Sequence, residues 1–211
     1  SLLKFIPKTK ISFIKGVGVK LPLVFKIREL PSPNNLFVVG VIAAYKKSKG
    51  YEELIKIAKK CQNNQKIIFK TFGYGDNQWL RNLIKKNSIK NIEVNSYSQN
   101  IENEIENFNL FLLPSHREGL NVSIQECLSR GIPILTTNVR GCKDLINEGY
   151  NGFIYEKDDI KKASSIIKKI SLMDNDKYFD LSRNCIQYAK KYLSRQLKSK
   201  EILEIFEEYY V

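Results

Sequence analysis

The 211 residues are 43 % apolar and carry 35 basic against 22 acidic side chains, a net charge of +13. That apolar fraction excludes a disordered chain. The longest apolar run, residues 36–45, is about half of the roughly 20 residues that span a bilayer, which excludes a membrane-crossing segment.

The four cysteines, Cys61, Cys127, Cys142 and Cys185, are far apart and lack metal-ligand spacing. They read as reduced thiols of a cytoplasmic protein. The lysines are spread over nearly every helical segment and no nucleic-acid recognition motif accompanies them. The charge therefore suits an anionic membrane face better than a nucleic acid. Because the chain opens on Ser1 rather than Met, further N-terminal sequence is expected.

In chain order, residues 10–19 predict a short strand running into the glycine loop Gly16-Val-Gly18, and a break follows at Pro31-Ser-Pro-Asn-Asn35. Residues 36–42 form an unbroken apolar run, and residues 50–61 then place Leu54, Ile55, Ile57, Ala58 and Cys61 at helical spacing. Strands are predicted at 66–72, 92–94, 108–113, 134–137 and 153–155. Helices are predicted at 77–86, 101–107 and 121–130, with a short one before the last strand and three more to the C-terminus. Apolar strands alternating with helices predict an α/β fold, a Rossmann-like parallel sheet with helices on both faces. Residues 1–35 read as an interdomain segment, 36–190 as the Rossmann-like domain and 191–211 as a C-terminal helix.

In such sheets ligands bind beyond the carboxyl ends of the strands, and three of those ends are distinctive. The strand at 108–113 runs into Pro114-Ser-His-Arg-Glu-Gly-Leu-Asn-Val-Ser-Ile-Gln-Glu126. A helix beginning near Asn121 turns free N–H groups and its positive end toward the loop, a setting for a diphosphate, and Gly119 lets the backbone come close to a ligand. Carboxylates there would repel phosphate, so Glu118 and Glu126 suit sugar hydroxyls. The alternative is that Ser123-x-x-Glu126 is a capping box and Glu118 a solvated charge. The turn Thr71-Phe-Gly-Tyr-Gly-Asp76, with Gly73, Tyr74 and Gly75, can hug a base or ribose, or be a plain strand-to-helix turn. Past the first strand, Lys46, Lys47 and Lys49 are candidates to neutralise a diphosphate. His116, the sole histidine, reads as structural or peripheral rather than catalytic.

Taken together and in order, these features resemble the C-terminal domain of family four glycosyltransferases, retaining enzymes of the GT-B architecture. The resemblance rests on Ile14-Lys-Gly-Val-Gly-Val19, Lys49-Gly50, Phe72-Gly-Tyr-Gly75, Leu113-Pro-Ser-x-x-Glu-Gly-Leu-Asn with Glu126, Gly131-Ile-Pro-Ile134 and Gly149-Tyr-Asn-Gly-Phe153.

The resemblance implies a nucleotide-diphosphate sugar donor, a UDP-sugar foremost, with no metal and no resident cofactor. It places Glu118 on hydroxyls of the transferred sugar and Lys49 on the diphosphate, the two catalytic candidates. Glu126 falls to the ribose. The backbone at Gly119, Leu120, Asn121 and Val122 falls to the sugar and diphosphate. Gly16 and Gly18 form the interdomain loop, Gly73, Tyr74 and Gly75 the base-side turn, and Tyr97 the base pocket. It also implies an N-terminal acceptor-binding domain as partner, packed against the last helices, where Ile202, Leu203, Ile205 and Phe206 would otherwise be exposed. The activity implied is glycosyl transfer in cell-surface polysaccharide or glycan synthesis.

Two departures stand out. The family arginine of the phosphate clamp is replaced at Ala44, and Asn95-Ser96-Tyr97 replaces a glycine segment. Loss of the arginine motivates the alternative of a non-catalytic sugar-nucleotide-binding or interaction module.

Overall fold

The structure, a computed structural model, describes residues 18–210, with side chains through residue 207. Six strands form one parallel sheet: β1 (Phe37–Ile42), β2 (Ile67–Gly73), β3 (Ile92–Ser96), β4 (Leu110–Leu113), β5 (Ile134–Thr137) and β6 (Gly152–Tyr155). Their spatial order is β3-β2-β1-β4-β5-β6, and every pairing is parallel. The intervening helices are α1 (Tyr51–Cys61), α2 (Gln78–Lys86), α3 (Ile101–Ile105), α4 (Val122–Ser129), α5 (Ile160–Ser171), α6 (Asn175–Tyr192) and α7 (Arg195–Tyr210). The short helix before β6 is a single 3-10 turn, Lys143–Leu145.

Strand side chains alternate between faces, and both faces are covered. Phe37, Val39 and Val41 of β1, with Leu110 and Leu112 of β4, pack in one apolar layer with α1 and α5. Phe111 and Leu113 of β4 turn the other way and pack with Ile124, Cys127 and Leu128 of α4 and Cys185, Tyr188 and Ala189 of α6. This explains why the strands read as continuous apolar runs.

The sequence order of the strands runs outward in both directions from the centre: β1 to β3 on one side, β4 to β6 on the other. The point of reversal lies between β1 and β4, and the crevice above their carboxyl ends is where an open α/β sheet receives a ligand.

Two details differ from the sequence reading. β4 begins at Leu110 rather than residue 108, because Asn109 turns its side chain to accept the Val38 N–H at 2.8 Å. The Phe108 ring instead lies over Gly40, where a Cβ would stand 2.1 Å from it. α4 is capped by Asn121, whose Oδ1 accepts the Ile124 N–H at 2.8 Å, so Ser123 and Glu126 do not form a capping box.

At the C-terminal end, Val19 clips the junction of α6 and α7: its N–H donates to Leu193 O at 2.8 Å and its carbonyl accepts from Arg195 N at 3.0 Å. Ile202, Leu203 and Phe206 of α7 are exposed, as expected from the sequence, whereas Ile205 is half-buried. Among the described residues no helix is long and apolar enough to cross a membrane.

Candidate active site

The β1 end descends into the turn Lys47–Lys49, and Gly50 then starts α1. Gly50 is required there on two counts. Its φ of +73° lies in the left-handed region, and a Cβ would stand 1.7 Å from Pro114 O. The turn after β1 and the loop after β4 are thereby held in direct backbone contact.

Polar contacts reinforce that seam. Ser48 O accepts the His116 N–H at 3.0 Å and the Ser115 hydroxyl at 3.3 Å. Thr137 of β5 donates its hydroxyl to Ser115 O at 2.5 Å. The Lys49 ammonium donates to Glu118 Oε1 at 2.7 Å, and the Glu118 side chain retains only 7 % of its exposure. His116 Nε2 lies 3.1 Å from Oε2 of Glu53, which is almost fully buried on α1.

From this seam the chain passes Gly119, around which the space a Cβ would take is open, and the exposed Leu120. It then enters α4. The N–H groups of Val122 and Ser123 have no acceptor among the described residues, and no acidic side chain lies in the first turn. The positive end of α4 therefore faces the crevice with two donors to spare.

Beside it is a cavity of about 310 Å³, lined by Ala43, Ala44, Gly73, Tyr74, Tyr97 and Glu126, among others. The first strand approaches β2 so closely here that a Cβ on Gly73 would stand 2.0 Å from Ala43 O. Tyr74 and Tyr97 stack face to face, with centroids 3.7 Å apart and planes 16° apart, both partly exposed. The Tyr97 hydroxyl beside it raises the Tyr74 hydroxyl above the ordinary tyrosine value.

Burial pushes the Glu126 carboxyl above the usual carboxylate range; Arg130 opposes this and Glu102 adds to it. Arg130 does not pair with that carboxylate. Its guanidinium engages Glu102 at 2.9 Å and approaches Glu106 at 3.9 Å, and toward Glu126 it donates only to the backbone carbonyl, at 3.2 Å. Glu126 is thus a half-desolvated acceptor at a cavity wall.

The structure therefore brings together two adjoining groups of the predicted residues: Lys49, Glu118 and Gly119 at the seam, and Gly73, Tyr74, Tyr97 and Glu126 around the cavity. Asn121 and Val122, at the start of α4, join them. Gly75, with a φ of +100°, lies beside Tyr45 behind the turn. Gly18 is placed elsewhere, against the backbone of Ser194 and Arg195, and Gly16 falls outside the described residues. Ala44 lines the cavity, so the position of the expected arginine offers no charge. Glu53 was not a sequence candidate; an acidic residue within the apolar stretch Tyr51-Glu-Glu-Leu-Ile55 was its only signal. Among the described residues no three His, Cys, Asp or Glu side chains cluster to hold a metal ion.

Residues 25–192 match the family described as Glycosyl transferases group 1. This chain belongs to that family. The capsular polysaccharide biosynthesis glycosyltransferase CapM of Staphylococcus aureus is 32 % identical to it over 192 residues, covering 84 % of this chain and 46 % of CapM. An N,N'-diacetylbacillosaminyl-diphospho-undecaprenol alpha-1,3-N-acetylgalactosaminyltransferase of Campylobacter jejuni is 28 % identical over 197 residues, covering 88 % of this chain and 51 % of that enzyme. The chain thus spans about half the length of these curated relatives. Among solved structures, Anabaena HepE in complex with UDP-glucose superposes with a TM-score of 0.74 at 20 % identity, covering 83 % of this chain and 49 % of HepE. The group 1 glycosyltransferase chain therefore shares the GT-B type architecture, with its sheet corresponding to one half of such molecules.

Proposed function

We propose that this chain is the donor-binding half of a retaining, metal-independent glycosyltransferase that takes a UDP-sugar, without a resident cofactor, in cell-surface polysaccharide or glycan synthesis. The observation that carries the reading is the adjacency of the Lys49–Glu118 pair, the two free N–H groups of α4 and the cavity ending at Glu126.

A nucleoside diphosphate sugar needs these three environments in this sequence. The base lies against the stacked Tyr74–Tyr97 pair, with Glu126 accepting from ribose hydroxyls. The diphosphate meets the N-terminus of α4 and the Lys49 ammonium, and the sugar hydroxyls meet Glu118. Departure of UDP leaves negative charge on the diphosphate, and fixed positive groups aimed there lower the barrier. No strong general base is required of this half.

The exposed apolar face of α7 supports packing against an N-terminal acceptor-binding domain, and the net charge of +13 supports contact of the cytoplasmic enzyme with an anionic membrane face. The uncharged wall at Ala44 favours one second reading, a sugar-nucleotide-binding module without transfer activity, since lysine does not reproduce a bidentate arginine contact.

Titration calorimetry of the chain against UDP, GDP, ADP and their sugar conjugates tests the proposal. The expected result is saturable binding of UDP, tightened by one sugar, with Glu118→Ala lowering UDP-sugar affinity about tenfold while UDP affinity changes little. Binding of none of these ligands by the folded chain would refute it. Binding without any transfer by the complete polypeptide would favour the second reading.

A further inference from the structure

His116 and Glu53 form a contact that the donor-site reading leaves unused. Glu53 sits in the first turn of α1 and its side chain is only 2 % exposed, while the His116 side chain keeps 30 %. A carboxylate so buried is costly unless a charge or hydrogen bond offsets it. Oε2 has the imidazole Nε2 at 3.1 Å, and Oε1 has no hydrogen-bond partner among the described residues.

From the sheet side, the Tyr155 hydroxyl of β6 faces the Glu53 carboxyl. Burial, and next the Glu53 charge, hold that hydroxyl neutral. Of the other titratable groups nearby, Lys49 is taken by Glu118, and Asp158 and the buried, neutral Cys142 thiol face Tyr155. Among the described residues, the imidazole is the side chain within hydrogen-bond distance of the Glu53 carboxylate, at 3.1 Å.

The location gives the pair a consequence. His116 lies two residues before Glu118, and Glu53 lies four residues after Lys49. His116 also donates its backbone N–H to Ser48 O at 3.0 Å. The same histidine thus fixes the sugar-side loop to the diphosphate-side turn through its backbone and to α1 through its ring. Movement of that loop would displace the Glu118 carboxylate relative to the Lys49 ammonium.

We infer that His116 and Glu53 are positioning residues, a hydrogen-bonded pair that locks the loop carrying Glu118 onto α1 and so sets recognition of the sugar moiety of the donor. The inference rests on the donor-binding reading above.

The test is calorimetry of the chain and of its His116→Gln, Glu53→Gln and double variants, against UDP and whichever of UDP-glucose, UDP-galactose, UDP-GlcNAc or UDP-GalNAc binds the wild type. Each single variant is expected to weaken UDP-sugar binding about tenfold while weakening UDP less than about twofold. The double variant should be no worse than either single, since both remove one contact. If Glu53→Gln alone fails to fold, the double variant, which removes the buried charge together with its partner, is read in its place.

Unchanged UDP-sugar affinity in His116→Gln overturns the inference and leaves the donor site standing. An equal loss for UDP and UDP-sugar overturns it too, since that is what a merely structural contact would give. Failure of the wild type to bind either ligand overturns both readings.

Discussion

Glu126 offers the sharpest test of the site because its environment sets opposite expectations for stability and binding. Its carboxylate is half-buried and pushed up by desolvation, and the nearby Arg130 guanidinium is committed to Glu102 and Glu106. Nothing among the described residues donates to the carboxylate, which leaves it free to accept from the two ribose hydroxyls of the proposed donor. A hydrogen bond to a charged group contributes about 1.5–3 kcal/mol. Glu126→Ala should therefore weaken UDP binding by about 10- to 150-fold.

The matching control is 2′-deoxy-UDP. Wild type should discriminate against it, and the variant should not. Stability should move the other way. A carboxyl whose folded value is raised binds its proton more tightly in the native than in the unfolded state, so stability falls as pH rises through that window. Removing the group should leave the melting temperature of the ligand-free chain equal or higher at neutral pH, with the difference vanishing in acid. If Glu126→Ala still discriminates between UDP and its 2′-deoxy form as wild type does, Glu126 is not the ribose acceptor and the placement of the cavity is wrong.

Three further perturbations address other parts of the site. Lys49→Met should weaken UDP binding by about 10- to 100-fold and flatten its salt dependence, because a charge-assisted phosphate contact is lost; unchanged salt dependence in calorimetry at two ionic strengths would remove Lys49 from the diphosphate. Tyr97→Ala should raise the dissociation constant for UDP about 5- to 150-fold, the range of one base–aromatic stack, while leaving inorganic diphosphate unaffected. Gly50→Ala places a side chain at a φ of +73° and 1.7 Å from Pro114 O, so a loss of about 2 kcal/mol and of about 4–8 °C in melting temperature is expected by scanning calorimetry; a neutral effect would mean the seam between the two loops is slack.

The fold was legible wherever a single periodic signal decided it. β5 occupies residues 134–137 as predicted because a buried parallel strand needs only a short apolar run bounded by breakers, here Gly131 and Pro133. β3 was cut short at residue 94 because Asn95 and Ser96 are polar; they extend the strand by pairing with Phe72 and Gly73, a backbone event that side-chain pattern does not record. The start of α4 was placed correctly at Asn121, but Ser123 competed for the cap, and only the geometry of Asn121 Oδ1 decides between them. Glu118, Gly73, Tyr74 and Glu126 stand out through motif spacing, Lys49 and Tyr97 through the family resemblance, and the sheet's point of reversal is what gathers them. Glu53 escaped notice because its partner, His116, lies 63 residues away. A buried carboxylate and a solvated one look alike until that distance closes.

The same geometry explains how a carboxylate can stand next to the proposed diphosphate site. At 2.7 Å from Lys49 the Glu118 charge is offset where it is held, and the side chain is too buried for water to do that instead. The turn carrying Lys49 and the loop carrying Glu118 come from β1 and β4, the two strands flanking the reversal, and Gly50 lets them touch. A donor entering there meets an ammonium and two helix N–H groups on its phosphate side and a prepaired carboxylate on its sugar side. Sugar recognition and phosphate recognition are then coupled through one ion pair, so loss of Lys49 should impair sugar discrimination as well as phosphate binding. Comparing UDP-sugar with UDP affinity in Lys49→Met reads that coupling directly: a sugar-dependent gain equal to wild type would show that Glu118 holds its place without its partner.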